Sequence, residues 1–130
     1  MTLYLEVDDL LHVVERITGR HATTRDAGQL AAAVARPKAV LRGVDVYPSL
    51  GEKAAALLVS LTTSKGLADG NKRLAWVATR LFCAANGAPV QVDDEEALKV
   101  LRAVALGDVD VPELAERLGG WMTPAVVPDA

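Results

Sequence analysis

Between Leu74 and Ala85 apolar residues recur at 74, 77, 78, 81, 82 and 85, the spacing of one buried helix face. The run is bounded on both sides. Asp69-Gly70-Asn71 opens it, and Asn86-Gly87 is a strong helix stop. This is the longest unbroken apolar stripe in the chain, so the spacing predicts a helix over 71–86 with the other elements packed around it.

Composition points the same way. Of 130 residues 51% are hydrophobic but only 4% aromatic. Alanine, leucine and valine dominate, which favours closely packed helices over aromatic-rich sheets. The length predicts a single domain over 1–120 with a short tail at 121–130. A net charge of −3 and a pI near 5.3 argue against a broad electrostatic footprint for nucleic acid. No apolar run approaches the roughly 18 residues that span a bilayer, and Glu6, Asp8 and Asp9 do not fit a secretory leader. The chain reads as cytoplasmic. The lone Cys83 falls within the apolar pattern and reads as a small buried hydrophobe.

Taken in order, Leu10, Leu11, Val13, Val14 and Ile17 predict a first helix from Val7, ended by Thr18-Gly19. His12 lies on or beside its apolar face and reads as a partly buried structural histidine. His21, in the polar connection R-H-A-T-T, reads as exposed, one of only two histidines available to take a proton. Thr23 or Thr24 is the expected cap of a second helix through Gln29, Leu30, Ala33 and Val34, stopped by Pro37. Residues 38–48 read as irregular or briefly extended, not as a sheet. Ser49 with Glu52 forms a capping box for a third helix with Ala54, Leu57, Leu58 and Leu61 inside. After the helix at 71–86, Asp93 with Glu96 caps a helix that buries Ala97, Leu98, Leu101, Val104 and Ala105 and ends at Gly107. Asp110 with Glu113 starts a last short helix to about Leu118. Gly119-Gly120 and two prolines then suggest a loose end, with Trp121 packing back. The acids 93–96 suit caps and dipole better than a metal.

The chemistry concentrates just ahead of the 71–86 helix, in Lys65-Gly66-Leu67-Ala68-Asp69-Gly70-Asn71-Lys72-Arg73. Glycine lets a backbone approach a ligand closely, and free N–H groups at a helix start favour anions. Asn71 adds a neutral donor, and Lys72 and Arg73 add charged ones. Asp69 is the place for a divalent cation arriving with a polyphosphate. The pattern predicts a phosphate site with a metal position, although an Asp-Gly-Asn turn opening a helix needs no ligand at all.

This stretch resembles the signature loop of the Fic/Doc proteins, H-x-F-x-[D/E]-G-N-[G/K]-R, and its N-K-R ending resembles the Doc branch, the death-on-curing toxins. Residues 69–73 match consecutively, and Leu67 replaces the usual Phe. R-D-A-G-x-L at 25–30, A-V-A-R-P at 33–37 and Y-P at 47–48 extend the likeness more loosely. The resemblance implies an all-α fold, a compact bundle of about six helices around a central one. It implies transfer of a phosphoryl or nucleotidyl group from a nucleoside triphosphate, with Mg²⁺, to a protein hydroxyl. In Doc proteins the acceptor is a threonine of elongation factor Tu, and an antitoxin usually binds and neutralises the toxin. By matching positions Asp69 holds Mg²⁺, Gly70 and Asn71 line the anion hole, and Lys72 and Arg73 clamp the phosphates. Residues 38–48 correspond to the flap that holds the protein target.

Besides Leu67, two positions depart from that pattern. Where relatives carry a second arginine this chain has Trp76, and Arg80 is only a weak substitute. Position 65 is lysine where the family has the histidine that takes the hydroxyl proton. An ordinary lysine, with a pKa about 10.4, has no lone pair at pH 7, and bringing it to neutrality takes about 4 kcal/mol. The expectation is a transferase attenuated by Lys65. The alternatives are altered chemistry on a small molecule, with Lys65 as phosphate ligand or base, and a nucleotide-binding module without turnover.

Overall fold

Alanines 54–56 and leucines 57, 58 and 61 are each 1% exposed or less, so the helix carrying them is enclosed on several sides. The computed structural model describes residues 1–68 and 70–123. Its helices are α1 (Val7–Thr18), α2 (Ala27–Ala35), α3 (Leu50–Thr63), α4 (Asn71–Ala85), α5 (Asp94–Leu106) and α6 (Val111–Trp121). The fold is all-α, as expected, with one minor addition between α2 and α3. The centre is a pair of helices: α3 packs along α4 and α6, and also meets α2 and α5. Small alanine side chains on α3 allow these close approaches, while Leu74, Ala75, Ala78, Phe82 and Cys83 supply the buried face of α4. Asn86, past the end of α4, ties down the amino terminus by accepting from Leu3 N–H at 2.8 Å and donating to its carbonyl at 2.9 Å.

The predicted caps hold for α3, α5 and α6, where Ser49, Asp93 and Asp110 accept from the N–H groups of Glu52, Glu96 and Glu113. The second helix differs from expectation. Its cap is Asp26, which accepts from Gln29 N–H, and Thr24 instead pairs with Leu67. A carboxylate is the better acceptor at a helix start, and it leaves the threonines free for the loop. On α5 the buried residues are Ala97, Val100 and Val104. Leu98 is half exposed and Ala105 exposed, because the helix offers the core only a narrow stripe. His12 is 77% exposed, pointing away from the core face on which it was expected to lie partly buried.

The 38–48 segment contains a small antiparallel hairpin after a 3-10 turn at Arg36–Lys38. Strands β1 (Val40–Leu41) and β2 (Val44–Asp45) pair Val40 with Asp45 and Leu41 with Val44. Arg42 and Gly43 between them both have positive φ, 52° and 79°, as a tight two-residue hairpin turn needs. Its base is pinned by Lys53, only 3% exposed, whose ammonium meets the Asp45 carboxylate at 3.2 Å and the Tyr47 carbonyl. Arg36 braces it further, donating to Tyr47 Oη and Ser60 Oγ, each at 3.0 Å.

The last helix also runs further than expected. It continues through Gly119-Gly120 to Trp121, whose ring packs edge-on against Trp76, with centroids 6.3 Å apart. Trp121 C=O accepts from Gln91 N–H, and Thr123 N–H donates to Pro89 C=O, so the helix end is sewn to the segment after α4. Tertiary contact outweighs the helix cost of the two glycines, about 1 kcal/mol each. The two prolines of the expected loose end lie outside the described residues.

Candidate phosphate-binding site

The loop joining α3 to α4 is held almost entirely by residues 23–29. Lys65 N–H donates to Gln29 Oε1 at 2.7 Å. Gly66 C=O accepts from the N–H groups of Arg25 and Asp26 at 2.7 and 2.9 Å. Ala68 N–H donates to the Thr23 carbonyl at 3.0 Å. Gly66 also lies against Leu30 so closely that a Cβ there would meet Leu30 Cγ at 2.5 Å. Leu67, 2% exposed, anchors the loop in the core, consistent with its standing where the motif has an aromatic residue.

Asn71 completes the frame from the other side. Its side chain accepts from Leu67 N–H at 3.0 Å and donates to Leu67 C=O at 3.1 Å. One amide hydrogen is thereby committed to the loop, and the second remains for a ligand.

Gly70 is the N-cap of α4 in a left-handed conformation, φ 81° and ψ 8°, and among the described residues no side chain caps the helix. The first helical bond runs from Leu74 N–H to Gly70 C=O, and among the described residues no acceptor meets the N–H groups of Asn71, Lys72 and Arg73. Three donors unpartnered among the described residues, at the positive end of a 15-residue helix, suit an anion. Lys72 and Arg73 are exposed beside it, Lys65 is exposed at the loop's start, and among the described residues none of the three is in an ion pair.

A cavity of about 300 Å³ opens next to this helix start. Gly70, Arg73 and Leu74 line one side, the end of α1 at Val14, Ile17 and Thr18 the other, and Arg20 to Thr23 its rim. Its floor is apolar and its mouth cationic. Sequence reasoning did not foresee the part played by Arg20 or Gln29; both become legible only once the chain turns back on itself at residues 19–29.

Arg80 is not at this site. Its guanidinium covers the Trp76 ring at 5.5 Å and reaches the Val90 carbonyl, two turns along α4. Asp69, the predicted metal ligand, lies outside the described residues. Among those described, no three His, Cys, Asp or Glu side chains cluster to hold a metal.

The family model described as Fic/DOC family matches residues 4–83. The chain belongs to the Fic/DOC family. A curated relative, Toxin Doc of Mycolicibacterium smegmatis (strain ATCC 700084 / mc(2)155), is 42% identical over 127 residues, covering 96% of this chain and 98% of that protein. Within the Fic/DOC frame, the R-D-A-G-x-L segment at 25–30 gains a physical role. It supplies the two N–H groups that hold Gly66, the Asp26 cap, Gln29 and the Leu30 contact, and so sets the shape of the signature loop.

Proposed function

We propose that this protein is a Doc-type toxin that transfers the terminal phosphoryl group of a nucleoside triphosphate to a protein hydroxyl, at a rate limited by Lys65. The observation that carries the reading is the start of α4, where Gly70 turns the backbone and the N–H groups of residues 71–73 meet no acceptor among the described residues, beside Lys72, Arg73 and a cavity. Phosphoryl transfer asks a protein mainly to position the phosphates and to neutralise the charge spread over their oxygens. The helix start supplies fixed dipoles for one phosphate, and the two cations serve its neighbours. Nucleotidyl transfer uses the same groups with the donor shifted by two phosphates, and labelling different phosphates distinguishes the two.

Mg²⁺ bound with the triphosphate would supply further charge neutralisation and keep most of its ligands as phosphate oxygens and water, asking the protein for one carboxylate, Asp69. Lys65 extends the cationic rim. Its exposed side chain stands at the loop's start, where it can hold phosphate. Elongation factor Tu is the proposed target and a small antitoxin the proposed partner, both by likeness to Doc proteins.

The test is transfer from [γ-³²P]ATP, [γ-³²P]GTP and the α-labelled forms to purified elongation factor Tu and to a bacterial lysate, with nucleotide binding titrated in parallel. Terminal label appearing on a protein, with both binding and transfer weakened by Arg73→Ala, is the expected result. Nucleotide affinity unchanged in Arg73→Ala would place the site elsewhere and sink the proposal.

A further inference from the structure

We propose that His21, oriented by Glu15, is the proton acceptor of this site, in the role the absent histidine at position 65 leaves open. The inference rests on the transfer reaction proposed above. His21 Nδ1 is 2.6 Å from Glu15 Oε1. A carboxylate on one ring nitrogen fixes the imidazole's orientation and its tautomer, leaving the lone pair on the other nitrogen, Nε2. The side chain lines the same open cavity as Gly70 and Arg73, which brings it to the surface that the anion position shares.

The fold brings this pair together by a specific turn. Gly19, with φ 73°, ends α1 in a left-handed residue whose N–H donates to Glu15 C=O at 2.8 Å. The chain therefore doubles back, and the side chain two residues on lies beside the Glu15 carboxylate. Thr18 Oγ1 lies 2.8 and 3.0 Å from the Val14 and Arg20 carbonyls, and its single hydrogen serves one or the other, tying the turn to α1. On its far side Thr23 is held by Ala68 N–H. His21 is thus suspended between α1 and the signature loop, and it is 97% exposed, open to an incoming hydroxyl.

The charged groups facing the imidazole are Glu15, His12 on the other side of that carboxylate at 4.0 Å, and Arg20 and Arg73 in the shared cavity. The arginines and Lys65 have no lone pair to offer at neutral pH, and His12 does not line the cavity. In the step itself, the hydroxyl oxygen bonds to the terminal phosphorus and the β,γ-bridging P–O bond breaks. Its electron pair leaves on the nucleoside diphosphate, and the hydroxyl proton passes to His21 Nε2. Glu15 then stabilises the imidazolium until solvent takes the proton.

The experiment measures [γ-³²P]ATP transfer to elongation factor Tu and lysate proteins by the full-length chain, with ATP binding titrated on each variant. His21→Ala is expected to lower transfer about 10²–10⁴-fold, while ATP affinity stays within about twofold. Imidazole added to the buffer should restore part of the lost rate, which a merely structural histidine would not permit. Glu15→Gln should lower the rate less and move the acid limb of the rate profile, and His12→Ala should behave as wild type. Undiminished transfer in His21→Ala overturns this inference and leaves the functional reading standing. A wild type that transfers nothing, or that binds no ATP, overturns the functional reading itself, and this inference with it.

Discussion

Asn71 grips Leu67 by both of its main-chain polar groups, its amide oxygen 3.0 Å from the Leu67 nitrogen and its amide nitrogen 3.1 Å from the Leu67 oxygen. The first residue of α4 thereby closes a ring with the loop ahead of it, and the free donors of the helix start are held at a fixed distance from the core.

Asn71→Ala opens that ring and leaves the nearly buried Leu67 N–H without an acceptor. The expected loss is about 1–3 kcal/mol of unfolding free energy, read from denaturant midpoints. Asn71→Asp keeps the acceptor and suits the helix dipole, so it should lose less stability. It places a negative charge at the anion position, however, and should weaken nucleotide binding more than alanine does. An Asp variant that binds nucleotide as well as wild type would show that the phosphates lie elsewhere.

Gly66→Ala should be costly for a different reason. The new methyl would fall 2.5 Å from Leu30 Cγ and Cδ2 and 3.1 Å from the Asp26 carbonyl, and Leu30 is fully buried with nowhere to go. Overpacking of this kind costs about 1–3 kcal/mol. Shortening the partner should relieve it. The Gly66→Ala/Leu30→Ala double variant should be destabilised by clearly less than the sum of the single changes. Strict additivity would mean that the two side chains do not meet.

Burial pushes the Cys83 thiol up to about 11. The unfolded thiol ionises near its ordinary value of about 8.5, so between there and 11 the unfolded chain has released a proton that the folded chain retains. Stability linked to Cys83 is therefore complete below the unfolded value and falls as pH rises toward 11, by about 3 kcal/mol. Subtracting the stability profile of Cys83→Ala from that of the wild type isolates this slope from other alkaline titrations. The same burial predicts a thiol that resists Ellman's reagent until denaturant is added.

Lys65→His installs an imidazole where the family carries one. Transfer should rise, by up to about 10²-fold, and His21 should become dispensable, so that His21→Ala costs far less in the Lys65→His background than alone. Transfer that falls in both Lys65→His and Lys65→Ala would instead show that the lysine has been recruited into the reaction.

Much of this architecture was legible in advance because it depends on local signals. The α4 stripe, the Asn86-Gly87 stop and the Ser49, Asp93 and Asp110 caps are each written within a few residues. The helix start at Gly70–Arg73 was legible for the same reason, since these residues are consecutive. What periodicity could not show was which residues meet across the chain. Gln29 reads as an ordinary helix residue until the loop returns to offer it Lys65 N–H, 36 positions later. Nothing local marks Lys53 as buried; the hairpin brings the carboxylate and the carbonyl that partner it. The α2 cap falls on Asp26 and not on Thr23 or Thr24, because the backbone of the threonines is taken up by the signature loop at Ala68 and Leu67.

Trp76 and Trp121 are the chain's only two tryptophans, and they meet at 83° to one another. The protein therefore carries its own optical reporter of one event, the seating of the final turn of α6 on α4. Perpendicular indoles at this separation couple electronically, so near- and far-ultraviolet dichroism should contain a paired feature that neither ring gives alone. Because Gly119 and Gly120 make that turn the weakest helical segment, the feature should fade on warming before the bulk helical signal does, marking the carboxyl-terminal seam as the place where unravelling begins.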